Sequence, residues 1–180
     1  MDADILVVGV GQPSRDMLVR LTADLHATLG RPATVADWKL DPAIAHDPLR
    51  NQYNSSQLLA SLVEHEDAYT RILGVTPVDL FAPVLTYVFG EAQLNGPTAI
   101  VSTHRLRPEL YGLPKDGVVL RRRLLVEAVH ELGHTAGLRH CPDPSCAMHG
   151  SSYVEEIDFK GPGLCARCLD VFNRSFVSPS

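Results

Sequence analysis

The chain has 180 residues, a length suited to one domain that buries about 70% of its unfolded surface and needs no disulfide staples. Apolar residues make up 45% and charged residues 21%, which excludes disorder, and a formal charge of -5 excludes a general nucleic-acid or membrane-surface binder, since either wants a basic excess. No apolar run approaches the roughly 18 residues of a membrane span, and the acidic start Met1-Asp2-Ala3-Asp4 lacks the basic region of a secretory signal, so the expected location is the cytoplasm.

Residues 5–8 (Ile-Leu-Val-Val) read as a buried strand, and Pro13-Ser14 opens a helix to about Leu29, with Gly30 placed to end it. Between them, Gly9-x-Gly11 invites a dinucleotide-binding reading. Ser14 stands where that motif needs its third glycine, and a tight strand-to-helix turn explains the pair. Residues 33–38 make a second strand, residues 41–54 a loop, and residues 55–69 a second helix. Asn54-Ser55-Ser56 matches a glycosylation acceptor but reads better as a helix cap. Residues 71–76 form a third strand. Residues 85–94 and 98–104 flank Asn95-Gly96, the strongest short-range signal for a β-hairpin. Strands alternating with helices, plus one antiparallel hairpin, predict an α/β (α+β) fold with a mixed sheet. Residues 173–180 read as a loose tail.

All four cysteines and four of the eight histidines fall within 39 residues near the C-terminus, a density that suits metal binding in a reducing compartment. A third helix over residues 118–136, capped by Asp116, carries the chemistry. Its arginines Arg121, Arg122 and Arg123 read as a solvated stripe, with Arg123 and Glu127 an i,i+4 pair. Near its end comes His130-Glu131-Leu132-Gly133-His134. Histidines four apart stand on one helix face and can reach the same ion. Glu131 is rotated about 100° from His130, beside the metal, where a base must sit to take a proton from an activated water. His140 is the candidate third ligand. On a continuous helix it would lie roughly 9 Å beyond His134, too far for zinc–nitrogen bonds of about 2.0–2.1 Å. The chain must therefore turn sharply, and Gly137 sits where it should. Three histidines leave a coordination position open, the mark of a catalytic zinc site.

Cys141 and Cys146 (C-x4-C) pair with Cys165 and Cys168 (C-x2-C) as a closed, four-thiolate structural zinc site. Four free buried cysteines would need this pairing by accident. His140 and Cys141 are adjacent but face different ions, so the second zinc is expected to brace the segment that carries the third histidine. The chain is thus expected to hold two zinc ions.

The string from His130 through Gly137 to His140-Cys141, then Cys146-Ala147-Met148 and Cys165-x-x-Cys168, resembles the archaemetzincins within the metzincin clan of zinc peptidases. The motif region covers about a quarter of the chain. The family's pattern places seventeen residues between the methionine and the last cysteine pair where this chain has sixteen, a one-residue loop deletion. The resemblance implies that Met148 forms a tight turn beneath the zinc. It also implies a twisted mixed sheet whose antiparallel edge strand, here expected over residues 85–94, binds the peptide backbone above the cleft. One catalytic domain would span residues 1–180, with an N-terminal subdomain to about 137 and a small zinc-braced subdomain from about 138 to 180.

The expected function is a zinc metallopeptidase in which Glu131 activates water at the metal, acting on short peptides or chain ends. A zinc hydrolase of another amide or acyl substrate is one alternative, since HExxH specifies activated water and not the bond cut. A non-catalytic zinc-stabilised binding module is the other, and Glu131 speaks against it because metal binding alone does not require it. Tyr153, five residues beyond Met148, is given no role, and His149 reads as a solvated loop residue rather than a fourth ligand. No nucleic-acid or membrane partner is expected. The oligomeric state is not legible.

Overall fold

A computed structural model describes residues 4–64 and 71–176. Strands β1 (Ile5–Val10), β2 (Ala33–Leu40), β5 (Arg71–Thr76), β7 (Gly90–Ala92) and β8 (Thr98–Ser102) form one sheet in the order β2-β1-β5-β8-β7. The first four in that order run parallel, and β7 lies antiparallel to β8 at the edge. Because side chains alternate along a strand, Ile5, Val7, Leu73, Val75, Ala99 and Val101 face one side while Val8, Val10, Ile72 and Ile100 face the other. Helix α1 (Arg15–Leu29) and helix α3 (Gly117–Thr135) cover the first face, and α2 (Ser55–Val63) covers the second. Burial on both faces explains why β1, β5 and β8 read as apolar runs. A small second sheet joins β3 (His46–Asp47), β4 (Gln52–Asn54) and β6 (Leu80–Phe81). Beyond α3 the chain carries two short helices, α4 (Val154–Phe159) and α5 (Ala166–Arg174).

Several expectations change. The edge strand is shorter than predicted. Over residues 82–89 only Val88 bridges, to Leu80, because side chains take the carbonyls a ladder would use. Arg50 Nη2 donates to the carbonyls of Leu85 (2.7 Å) and Thr86 (3.1 Å), and Gln52 Nε2 also donates to Thr86 (3.0 Å). The Asn95-Gly96 hairpin forms, but with a longer loop closed by Gln93 N–H to Thr98 O at 3.0 Å. A two-residue turn would need an N–H from residue 97, and Pro97 has none. Asn54 caps α2 as expected, its side chain accepting from Gln57 N–H at 3.2 Å, yet the helix is described only to Val63, and residues 65–69 of the predicted helix lie outside the described residues.

The arginine stripe is only partly solvated. Arg123 is 5% exposed and forms a bidentate pair with Asp158 (2.8 and 2.6 Å) while donating to Leu106 O, and the expected Arg123–Glu127 pair does not form. The start of the predicted tail is anchored too. Arg31 donates to the Asn173 side chain (3.0 Å) and carbonyl (3.1 Å), and the Phe176 ring packs on Phe172 between the guanidinium groups of Arg31 and Arg71. Residues 177–180 lie outside the described residues.

Candidate metal centre and active site

Helix α3 begins where the Asp116 side chain accepts from Val118 N–H (2.8 Å) and Val119 N–H (3.1 Å). It ends in a Schellman motif, with Gly137 N–H on His134 O (2.9 Å) and Leu138 N–H on Gly133 O (3.1 Å). Gly137 has φ +84°, the left-handed conformation anticipated for it, and the chain doubles back there. His140 is thereby brought to His130 and His134, with ring centroids 5.3 Å from each.

The orientation of each helix histidine is set by a backbone carbonyl. His130 Nδ1 lies 2.7 Å from Ala147 O, and His134 Nδ1 lies 2.7 Å from Leu138 O. A carbonyl can only accept, so each Nδ1 carries the proton and each Nε2 presents its lone pair to the common centre. The two Nε2 atoms stand 3.1 Å apart. Nitrogens bound to one tetrahedral zinc at about 2.05 Å would be roughly 3.3 Å apart. Two lone pairs facing each other at that distance suit a shared cation. Burial, reinforced by the charge of Lys160, lowers His130 to about 3, and burial also lowers His134, so both rings are neutral and ready to ligate. The donor set fits zinc.

The glutamate lies against the edge strand. Glu131 is 5% exposed, and burial, with help from Glu127 and Glu91, raises its pKa well above the ordinary carboxylate value. It fits there because residue 90 is glycine: a Cβ at that position would stand 2.7 Å from Glu131 Cγ and 2.6 Å from the Ile100 carbonyl oxygen. Glu91 is turned to the opposite face of the sheet, where both Ser55 and Ser56 donate to it. On the other side of the helix, Met148 is fully buried under Gly133, and a Cβ on Gly133 would fall 2.2 Å from its Sδ.

Cys141, Cys146, Cys165 and Cys168 form a second cluster. Cys141 Sγ and Cys165 Sγ are 3.9 Å apart, close to the roughly 3.8 Å expected of sulfurs bound at about 2.3 Å to one zinc. The Cys168 N–H and neighbouring thiols lower Cys165 to about 7, whereas burial raises Cys146 and Cys168. Cys141 N–H donates to Met148 O (2.9 Å), which ties this cluster to the methionine turn and so to the histidines. His149 joins neither cluster. Its Nδ1 sits 2.9 Å from Cys141 O, so it is a held residue, not a freely solvated one.

The three histidines and Glu131 line one cleft of about 850 Å³, walled by residues 85–92 and Leu94 on one side and by Ser151, Ser152 and Tyr153 on the other. Three features of this cleft were not anticipated from sequence. Gly90 makes room for Glu131, Lys160 is buried behind His130, and the Tyr87 hydroxyl donates to Ser152 O (2.9 Å), joining the two walls. Tyr153 is 65% exposed at the rim.

Over residues 41–174 the chain matches Peptidase family M54. It is 46% identical over 132 residues to the archaemetzincin of Methanocaldococcus jannaschii, covering 73% of this chain and 72% of that one. The crystal structure of the archaemetzincin from Methanopyrus kandleri superposes with a TM-score of 0.79 at 35% identity, over 95% of this chain and 93% of that one. A zinc-dependent peptidase from Methanocorpusculum labreanum superposes with a TM-score of 0.85 at 31% identity, over 94% of this chain and all of that one. Because the family match spans residues 41–174, which include α3 and both side-chain clusters, the chain belongs to peptidase family M54, the archaemetzincins, and is a zinc metallopeptidase.

Proposed function

We propose that this peptidase acts on short peptides or exposed chain ends, with Glu131 as its general base, a catalytic zinc on His130, His134 and His140, and a structural zinc on Cys141, Cys146, Cys165 and Cys168. The observation that carries the reading is a convergence: two neutral histidines aim their Nε2 atoms at one point, a third closes on it, and a buried carboxylate flanks it inside a cleft. Zinc, when bound, supplies the Lewis acidity that makes water a nucleophile near neutral pH and polarises the scissile carbonyl. Glu131 takes the proton from the attacking water and passes it to the leaving nitrogen, one carboxylate serving as base and then acid. Among the described residues, edge strand β7 pairs with β8 on one side only, which leaves its other side to receive an extended backbone.

The restriction on substrate rests on Tyr87. Its hydrogen bond to Ser152 joins the walls, and the Arg105 guanidinium, 4.0 Å from the Tyr87 ring centroid and paired with Asp79, holds the ring in place. A cleft bridged there takes a chain that ends within it more readily than one that must run through. The test compares zinc-loaded protein on short fluorogenic peptides and on casein, with Glu131→Ala as the blank. Peptide cleavage with slow or no attack on casein is expected, and Tyr87→Phe should shift the ratio towards casein. Rapid internal cleavage of casein by the unmodified protein would refute the restriction, and cleavage of neither substrate would refute the peptide reading.

A further inference from the structure

Lys160, at the C-terminal end of α4, is 1% exposed, and its partner Glu127 is 3% exposed. Among the described residues, this ion pair alone has both side chains less than one-tenth exposed. The ammonium donates to two carbonyls, His149 O at 2.7 Å and Ala147 O at 3.1 Å, and lies at ion-pair distance, 3.4 Å, from Glu127 Oε1. The two carbonyls flank Met148. Ala147 O is also the oxygen that receives His130 Nδ1 at 2.7 Å. One buried cation therefore grips the peptide group that sets the orientation of a zinc-binding ring. Glu127 adds little hydrogen bonding of its own, since its Oε1 has no hydrogen-bond partner. It lies one turn before His130 and Glu131 on α3, within the ion-pair distance that balances the charge.

Stability alone does not call for this arrangement. Each buried ion costs several kcal/mol of desolvation, and apolar side chains of similar volume commonly replace such pairs without loss. What an apolar side chain cannot do is hold two carbonyl oxygens at fixed positions. Arg122 and Arg123 extend the hold outward, Arg122 donating to Lys160 O (2.6 Å) and Arg123 pairing with Asp158, so two arginines of α3 fasten the C-terminal end of α4.

We propose that Lys160 is a positioning residue for the three-histidine centre: its ammonium fixes the Ala147 carbonyl that orients His130, and Glu127 neutralises the charge this requires. The inference rests on the reading that the three histidines hold zinc. Partners behind a metal-bound histidine fix its tautomer and direction, and their loss typically costs about 10- to 100-fold in metal affinity.

The test is zinc affinity, measured on the full chain by competition with a chromophoric chelator, with the four-cysteine site of the same molecule as internal reference. Thermal unfolding of each variant is followed in parallel. Lys160→Met should weaken the histidine site about 10- to 100-fold and also lower the Tm, because Glu127 is left buried and unpaired. Glu127→Gln keeps both carbonyl contacts and should retain the wild-type affinity. The decisive variant is Lys160→Met with Glu127→Leu, which removes the charge pair altogether. It should recover Tm while keeping the loss of affinity. Wild-type affinity in that double variant would overturn the proposal, as would an equal loss in Glu127→Gln. A double variant that fails to fold even with zinc present would assign the pair to folding and overturn it too. Wild-type protein that takes up zinc only at the cysteines would instead refute the histidine reading beneath it, a result visible before any variant is made.

Discussion

Placing one methyl group on Gly90 tests whether the edge strand and the Glu131 carboxylate are fitted to each other. In Gly90→Ala the new Cβ would stand 2.6 Å from Ile100 O, 2.7 Å from Glu131 Cγ and 2.8 Å from Glu131 Oε1, where ordinary contact begins near 3.4 Å. The Ile100 oxygen belongs to β8, which is paired on both sides, by β5 and β7, and cannot yield, so β7 must move outward by about 0.8 Å, and Glu131 must also shift wherever that movement does not clear it. Overpacking of this kind costs about 1–3 kcal/mol, and at about 2–4 °C per kcal/mol for a chain of this size Tm should fall by about 2–12 °C. A displacement near 1 Å at the reacting groups is worth about 100-fold in turnover. The expected signature is thus a folded protein with full zinc content and kcat down about 100-fold on a short peptide. Zinc content by metal analysis, Tm by circular dichroism and turnover of a fluorogenic peptide measure the three quantities. Turnover close to wild type would show that the contact between Gly90 and Glu131 has no part in catalysis.

Three further outcomes are expected. Glu131→Ala should retain the fold and the metal content while losing at least about 100-fold in turnover, the low end of general-base contributions, and near-native activity would remove Glu131 from its role. Gly137→Val puts a β-branched residue at φ +84° and should weaken the histidine site more than it lowers Tm, a ratio read by chelator competition beside thermal unfolding; unchanged zinc affinity would separate Gly137 from the placing of His140. Fully loaded protein should hold two zinc ions of unequal lability, the histidine site emptying first under chelator because its open position admits a competing ligand, and metal analysis giving one zinc at most would defeat the two-site reading.

The parts of this molecule legible in its sequence are those whose evidence is local. Gly137 follows from a length argument over the six-position step from His134 to His140, and β1, β5 and β8 from apolar runs that their burial on both faces demands. What escaped is carried by backbone atoms or by distant pairs. The partners of the two helix histidines are the carbonyls of Ala147 and Leu138, groups that every residue possesses and no motif can mark. Arg31 meets Asn173 across 142 positions, which is why residues 173–176 read as tail while they are in fact anchored. Glu127 was different, because a signal was present. It stands four residues before Glu131 in a buried part of the helix, and two carboxylates one turn apart repel unless a cation lies close. The i,i+4 rule supplied Arg123 as that cation, but the rule describes solvated helix surfaces, and both residues are buried. Once burial is known, the partner must come from another element that is buried against the helix. Arg123 turned to Asp158, and the cation for Glu127 came from Lys160 at the end of α4. Two carboxylates one turn apart on a buried helix are therefore a reason to look for a buried lysine or arginine on another element, even where the sequence between offers no spacing rule to find it.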